Sequence, residues 1–294
     1  MSRVLVVGRR GQVARALAEA GWPEGVSLSC FGRDEIDLAA PTSVARAIAR
    51  RAPDLVVNAA AYTAVDRAES EPEAAFAVNR DGPAALAEAC AGLGVPLIHL
   101  STDYVFDGGK EGAYVEDDPV NPLCVYGASK AAGEQAVRRI LPAHVILRSA
   151  WVYAPEGRNF VRTMLRLARD SDEIRVVDDQ RGCPTAASEI ARAIVAISGR
   201  LLAGSGAFGT FHFCGTGSTS WHGFAQAIFE FSQGPRPNLV PIPTSAYPTP
   251  ARRPANSVLD GAEIRRLYGV AGRPWRESLA RCLVEIAARE TTAA

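Results

Sequence analysis

The chain has 294 residues, enough for one large domain or for a domain with a smaller lobe. Its formal net charge of +0 and its pI of about 6.9 lack the basic surplus that would indicate nucleic acid or an anionic membrane as a partner. No apolar run reaches the roughly 18 residues of a membrane span, and the first apolar run begins too early for a signal peptide.

Residues that could bind a metal are scattered along the chain. The 6 cysteines contain no C-x-x-C pair, and the 4 histidines show no ligand spacing. His99 lies inside an apolar run and is typical of a core residue. We therefore expect reduced, mostly buried thiols, no metal site and a cytoplasmic location.

Short apolar runs alternate with alanine-rich helical segments through the first half of the chain. Runs that are apolar on both faces and separated by helices predict an α/β fold with a doubly wound parallel (Rossmann) sheet. Its predicted strands are 4–7, 26–31, 55–58, 96–101 and 145–147, and its predicted helices are 12–20, 41–51, 71–93 and 126–140. Ligands of such sheets bind at the carboxyl ends of the strands, so we expect the functional residues there.

The second half is less regular and predicts a smaller C-terminal α/β lobe. Its predicted helices are 160–169, 189–202, 221–231 and 275–288, and its predicted strands are 174–177 and 210–214. A proline-rich segment, 235–254, ends with Arg252 and Arg253 in a stiffened backbone. Such a segment can be a linker, but the two arginines favour a role in gripping phosphates.

A glycine-containing turn follows the first predicted strand. Its pattern G-x-x-G-x-x-A, which ends at Ala14, is a variant of the dinucleotide fingerprint. Glycine there lets backbone amides approach a pyrophosphate at the start of a helix. We predict cofactor contacts along this turn at Gly8, Arg10, Gly11, Gln12 and Val13.

The second strand ends without the acidic residue that NAD-specific sites place against the ribose 2′-hydroxyl. Arg9, Arg10 and Arg33 can meet a 2′-phosphate instead, so the sequence predicts a preference for NADPH, with NADH as an alternative. The adenine is predicted beside Asp37 and Leu38. Mostly small residues follow the third strand, where a cofactor lies against the backbone: Ala59, Ala60, Ala61, Tyr62 and Thr63.

Tyr126 and Lys130 lie one helical turn apart at the start of a predicted helix. An unperturbed tyrosine has a pKa near 10, so a nearby cation is needed for proton exchange at neutral pH. The chain has only two lysines, Lys110 and Lys130, and uses arginine elsewhere. The pair favours acid–base chemistry, although a surface lysine beside a packed tyrosine is an open alternative on these residues alone.

Together these motifs resemble the extended short-chain dehydrogenase/reductase superfamily and, within it, the dTDP-4-dehydrorhamnose reductase family. The resemblance covers nearly the whole chain and includes the segments 58–69, 101–108, 148–153, 179–185 and 248–257. It implies an NAD(P)-binding domain over 1–150 and a mostly substrate-binding lobe over 151–294, with the chain free to cross back. The implied reaction is hydride transfer from NADPH or NADH to the C4 carbonyl of dTDP-4-dehydro-β-L-rhamnose, giving dTDP-L-rhamnose for rhamnose-containing glycoconjugates.

The resemblance also implies roles for single residues. Tyr126 would protonate the alkoxide and also contact the cofactor, Lys130 would lower the pKa of Tyr126 and bind the nicotinamide ribose, and Thr102 would polarise the carbonyl. Residues implied to contact the substrate are Thr102, Asp103, Trp151 and Arg252. Some relatives bridge subunits through magnesium on helix glutamates, but this chain has Ala16 there, so we expect no metal and a monomer or homodimer.

Three alternatives remain open. Related nucleotide-sugar dehydratases carry an Asp-Glu pair after the threonine, whereas this chain has Asp103 followed by Tyr104, which favours simple carbonyl reduction. A reductase of another dTDP-4-keto-deoxysugar would share the motifs. The non-enzymatic regulatory subunit of methionine adenosyltransferase also resembles the family, but the complete set of Thr102, Tyr126 and Lys130 favours an enzyme.

Overall fold

Six parallel strands form the central sheet of the computed structural model, which describes residues 1–293 and side chains as far as residue 291. The strands are β1 (Ser2–Val7), β2 (Val26–Phe31), β3 (Leu55–Asn58), β4 (Leu97–Thr102), β5 (His144–Ser149) and β10 (Gly209–His212). In space they follow the order β2-β1-β3-β4-β5-β10, so the sheet grows first to one side of β1 and then to the other. The predicted doubly wound parallel sheet is confirmed.

Helices cover both faces of the sheet, which explains why its strands are apolar at successive positions. Along β1, Val4 and Val6 face one core cluster, whereas Leu5 and Val7 face the other. The first face is covered by α1 (Gln12–Glu19) and α8 (Ala187–Leu202), and the second by α2 (Pro41–Arg51), α5 (Gly82–Leu93) and α6 (Val125–Ile140).

The single helix predicted over 71–93 is interrupted in the structure. It consists of α4 (Pro72–Phe76), a π-helical turn (Ala77–Asp81) and then α5. The turn contains the buried Asn79, whose Oδ1 accepts the Tyr62 N–H at 2.8 Å and whose Nδ2 donates to Ser129 Oγ at 3.0 Å. This turn therefore ties the segment after β3 to α6, a role that a regular helical period does not reveal.

A second core lies beside the sheet. It is built from α7 (Phe160–Asp170), α9 (Trp221–Phe231), α11 (Trp275–Ala293) and the parallel strand pair β7 (Glu173–Val177) and β12 (Asn238–Ile242). β12 lies within the proline-rich segment 235–254, where the sequence predicts no strand. Pro241 is tolerated there because β12 is an edge strand that pairs only with β7.

Shorter elements complete the fold. They are α3 (Val65–Ala68), β6 (Val152–Tyr153), β8 (Arg181–Gly182), β9 (Thr185–Ala186), β11 (Thr219–Ser220), α10 (Ala262–Tyr268) and the 3₁₀ turns Asp103–Val105 and Thr244–Ala246. From the second half, α8 and α10 pack in the first core and β10 extends its sheet. All of the cysteines are free. Cys30 is half-buried and the others are buried, as expected. Within residues 1–293, none of the helices has both the length and the apolar character needed to cross a membrane.

Candidate active site

A cleft of about 1210 Å³ opens at the carboxyl ends of the central strands. The predicted site residues that line it are Gly8, Arg10, Gly11, Gln12, Val13, Arg33, Asp37, Leu38, Ala59, Ala60, Ala61, Tyr62, Thr63, Thr102, Asp103, Tyr126, Lys130 and Trp151. Arg252 is the exception, because it is exposed and does not line the cleft. Its neighbour Arg253 is held in a bidentate ion pair with Asp66, at 2.8 Å for the shorter contact.

The turn after β1 closes one end of the cleft. Gly8 has a φ of +118°, and a Cβ at this position would lie 3.3 Å from the Ala59 backbone. Glycine therefore allows the turn to approach the end of β3 closely. Helix α1 begins after Gly11 with no side-chain cap and no acidic residue in its first turn, so its first N–H groups are open to an anion.

Two arginines of this turn differ in how far they are already neutralised. Arg9 pairs with Asp34 at 2.8 Å and with Glu35 at 2.9 Å, and Asp34 raises the pKa of Arg9. Arg10 is exposed at the cleft and has no ion-pair partner within the described part of the chain. Arg10 is therefore the more available of the two for a 2′-phosphate.

The predicted adenine end of the cleft carries its own ion pair. Arg33 Nε lies 3.3 Å from Asp37, and the Arg33 side chain is 80% exposed. Asp37 Oδ1 also accepts the Ala39 N–H at 3.0 Å, which fixes the carboxylate. Leu38 is 4% exposed and belongs to the core beneath this surface.

A loop at residues 157–159, which sequence reasoning missed, lies at the predicted pyrophosphate end of the cleft. Asn159 Nδ2 donates to Gln12 Oε1 at 2.9 Å, so the loop is attached to the glycine turn. Arg158 lines the cleft next to this contact and has no ion-pair partner among residues 1–291. The sequence holds no signal for this arrangement, because Gln12 and Asn159 lie far apart in the chain.

Helix α6 carries both predicted acid–base residues and is held at its start. Its first amide, that of Val125, donates to Glu69 Oε1 at 2.8 Å. A Cβ on Gly127 would lie 2.2 Å from the Tyr104 carbonyl oxygen. Only glycine therefore lets the helix rest this closely on the turn that follows β4.

A buried ion pair holds the middle of α6 against β5. Glu134 and Arg148 are 0% and 1% exposed, and two hydrogen bonds of 2.7 and 2.9 Å join them. Arg138 adds a third bond to Glu134 at 2.7 Å. Sequence reasoning missed this pair, since only the packing of α6 against β5 brings the two residues together.

Tyr126 is half-buried at the cleft, and the Tyr104 ring packs edge-on against it with 5.6 Å between ring centres. Burial raises the pKa of Tyr126 above its ordinary value of 10.0, while the Thr102 hydroxyl acts in the opposite direction. The phenol is therefore protonated at neutral pH. In this state Tyr126 can act as a proton donor.

Lys130 is 2% exposed, and its Nζ donates to the Leu100 carbonyl at 2.7 Å. Burial lowers the pKa of Lys130 to about 8, with Glu134 acting in the opposite direction. His99, expected in the core, is fully buried, and its ring nitrogen Nε2 lies 3.5 Å from Nζ. The implied effect of Lys130 on Tyr126 stays a prediction.

Thr102 and Asp103 form a buried pair at the end of β4. Thr102 Oγ1 donates to Asp103 Oδ1 at 2.9 Å and accepts the Tyr104 N–H at 3.2 Å. Burial raises the pKa of Asp103 to about 6, and the hydroxyl groups of Ser257 and Thr102 act in the opposite direction. Asp103 Oδ2 has no hydrogen-bond partner within the described side chains. Asp103 Oδ2 can therefore still form a hydrogen bond with a ligand in the cleft.

Trp151 is held in an uncommon conformation beside the predicted catalytic residues. Its φ of +47° is in the left-handed region, which bulky residues seldom adopt. Its ring stacks on Trp221 with 3.5 Å between centres and 3° between planes, and Nε1 donates to Ser257 Oγ at 3.2 Å. Trp221, which the sequence analysis did not single out, therefore supports the aromatic wall of the cleft.

The comparison with known proteins agrees with this geometry. Residues 2–288 match the family described as the RmlD substrate binding domain. The dTDP-4-dehydrorhamnose reductase of Sinorhizobium fredii is 50% identical over 95% of this chain and 96% of its own length. The chain belongs to the dTDP-4-dehydrorhamnose reductase family. The family that the motifs predict is thus confirmed.

Two further relatives of the reductase are informative. A crystal structure of the Bacillus anthracis dTDP-4-dehydrorhamnose reductase in complex with NADP is similar with a TM-score of 0.90 and 36% identity, covering 97% of this chain and 100% of that one. A probable dTDP-4,6-dihydroxy-2-methyloxan-3-one 4-ketoreductase of Streptomyces antibioticus is 39% identical over 98% of this chain and 97% of its own length. Relatives with similar identity to this chain are therefore named for different keto-sugar substrates.

Proposed function

We propose that this reductase converts dTDP-4-dehydro-β-L-rhamnose to dTDP-L-rhamnose, with NADPH as the preferred cofactor. The observation that carries the proposal is the meeting of Thr102, Tyr126 and Lys130 with the glycine turn in one cleft. When bound, NADPH supplies the hydride that adds to C4 of the sugar.

The residues of the cleft fit a dinucleotide phosphate. The turn at Gly8 and the open amides of α1 suit a pyrophosphate, and Arg10 suits a 2′-phosphate. The segment after β3 is small at Ala59 and Ala60, which leaves room for a cofactor against the backbone.

Tyr126 supplies the proton of the reaction. As the new C–H bond forms at C4, the π electrons of the carbonyl move to its oxygen, which takes the phenol proton of Tyr126. The raised pKa of Tyr126 keeps this proton in place until the far more basic alkoxide develops. Thr102 adds a hydroxyl beside the same oxygen and stabilises its charge.

Thr102 must turn its proton away from Asp103 to donate to the substrate. Its present bond to Asp103 Oδ1 and the amide of Tyr104 hold the oxygen in place, so only the hydroxyl hydrogen has to rotate. The substrate sugar would lie between this pair and the indole of Trp151.

A second candidate is reduction of a different dTDP-4-keto-deoxysugar. The observation in its favour is the Streptomyces antibioticus relative, whose name carries another keto-sugar at 39% identity. Analysis of the product, including the configuration at C4, distinguishes the two candidates.

We infer a cytoplasmic enzyme, monomeric or homodimeric, without a resident metal. The free and mostly buried cysteines support the location. The described residues contain no cluster of three or more His, Cys, Asp or Glu suited to a metal ion.

The test is NADPH oxidation with dTDP-4-dehydro-β-L-rhamnose, made by the preceding dehydratase and epimerase steps. Tyr126→Phe should lower kcat by about 10²–10⁴-fold, far more than it raises KM for NADPH. Tyr247→Phe, at a tyrosine that is 59% exposed, is the matched control. No turnover by the wild type, or full turnover by Tyr126→Phe, would refute the proposal.

A further inference from the structure

A buried polar chain runs from the end of β3 to Lys130. It consists of Asn58, His99 and Lys130, which are 1%, 0% and 2% exposed. Asn58 and His99 are opposite each other in the parallel register of β3 and β4. Buried polar groups of this kind are costly unless every donor meets an acceptor.

The hydrogen bonds of Asn58 determine which nitrogen of His99 carries the proton. Asn58 Oδ1 accepts the Ala60 N–H at 3.2 Å, so the amide nitrogen Nδ2 is the group that faces His99. Nδ2 lies 3.0 Å from His99 Nδ1, and an amide nitrogen can only donate. Nδ1 is therefore the acceptor, and a neutral His99 carries its proton on Nε2.

His99 Nε2–H then points toward Lys130. Burial holds the pKa of His99 well below 6.5, and the Lys130 cation lowers it further, so the ring is neutral. Its Nε2 lies 3.5 Å from Lys130 Nζ. An ammonium offers only donors, which oppose an N–H, whereas a neutral amine has a lone pair that accepts one.

We propose that His99 is a positioning residue that sets the protonation state of Lys130 by presenting Nε2–H to its amine. This inference rests on the proposed function, in which Lys130 lies with Tyr126 at the reaction centre. After Tyr126 has given its proton to the substrate, the Lys130 ammonium returns one to the phenolate, leaving phenol and a neutral amine. His99 stabilises that amine until solvent restores its proton.

The other charged and titratable groups around this chain do not remove the need for His99. Besides each other, those that act on Lys130 and His99 are Glu134 and Arg138 on α6 and His144 on β5. Glu134 raises the pKa of Lys130, but two arginines already hold its carboxylate. The hydrogen-bond contacts of Nζ are with the Leu100 carbonyl, which can only accept, and with His99 Nε2, which can present a donor.

The first test is the tautomer of His99 in the cofactor-free protein, read from its ¹⁵N chemical shifts. Proton attachment to Nε2 is expected over the neutral pH range. Attachment to Nδ1 would overturn the proposal, because Nε2 would then accept from the Lys130 ammonium and favour the charged form. This measurement needs no substrate, so it stands apart from any failure of the proposed reaction.

The second test is a titration of Lys130 by NMR with ¹³C-labelled lysine. The chain has only two lysines, so Lys110→Arg leaves a single signal. In that background His99→Asn keeps an acceptor for Asn58 but removes the donor toward Lys130. The Lys130 pKa should rise by about one. The variant removes the repulsion between the His99 N–H and the Lys130 ammonium, whose free energy is comparable to that of a hydrogen bond.

The control is His222→Asn, at a histidine that does not line the cleft. It should leave the Lys130 titration unchanged. A Lys130 pKa that stays the same or falls in folded His99→Asn would overturn the proposal. If His99→Asn does not fold, the wild-type tautomer still decides.

Discussion

Arg10→Ala should weaken use of NADPH and leave use of NADH nearly unchanged. Arg10 lines the cleft without an ion-pair partner in the described chain, so it is the cation most available to a 2′-phosphate. A hydrogen bond to a charged group contributes about 1.5–3 kcal/mol. Because Arg10 is exposed, we expect its contribution to lie at the low end of this energy range, which corresponds to a loss of roughly tenfold in kcat/KM for NADPH.

The neighbouring ion pair, between Arg9 and Asp34, predicts a variant that uses NADPH better. Asp34 lies 2.8 Å from Arg9 and is 68% exposed, so it competes with a phosphate for that guanidinium. Asp34→Ala should release Arg9 and raise kcat/KM for NADPH by about 2–5-fold, in line with exposed ion pairs. The gain should shrink as salt concentration increases.

The assay is kcat/KM for NADPH and NADH, each measured with saturating keto-sugar. Arg15→Ala is the matched control, because Arg15 lies on α1 outside the cleft and pairs with Glu156. If Arg10→Ala lowers both efficiencies equally, Arg10 acts on the pyrophosphate or on the fold. An unchanged ratio would refute the reasoning about the 2′-phosphate.

Two further predictions concern residues that sequence reasoning missed. Glu134→Gln should lower the free energy of unfolding by about 3–5 kcal/mol in urea denaturation, because it leaves Arg148 buried without its partner. The pKa of Glu134 is lowered in the folded state, so the stability that its charge contributes is present above pH about 4.5. That stability is lost as the pH falls through the pKa of the folded state. A wild-type stability that does not decline on acidification would contradict this. Arg158→Ala should raise KM for NADPH and NADH alike, since the pyrophosphate is common to both, whereas Arg166→Ala outside the cleft should not. A change confined to NADPH would contradict the placement of Arg158.

The sequence predicts the sheet well because local patterns carry the information. Strands such as β3 are apolar on both faces, and the glycine turn marks the boundary between β1 and α1. The spacing of Tyr126 and Lys130 follows from one helical turn. These features depend on residues that are near each other in the chain.

Contacts between distant segments could not be predicted in the same way. Arg9 looks like a free cation until β2 places Asp34 and Glu35 beside it. Pro241 conceals a strand because an edge position is not visible in one sequence. The left-handed φ of Trp151 and its stack on Trp221 likewise require the folded chain.

Burial of the acid–base pair has opposite consequences for its two members. It disfavours the charged form of each, so it raises the pKa of Tyr126 and lowers that of Lys130 to about 8. The cleft therefore holds a phenol that keeps its proton and a lysine that releases its own more readily than an exposed lysine does. The proposed reduction would use this combination, because in it a proton leaves Tyr126 only when an alkoxide forms and is then replaced. The same burial would hinder the reverse reaction, which requires Tyr126 to be deprotonated before the alcohol is oxidised.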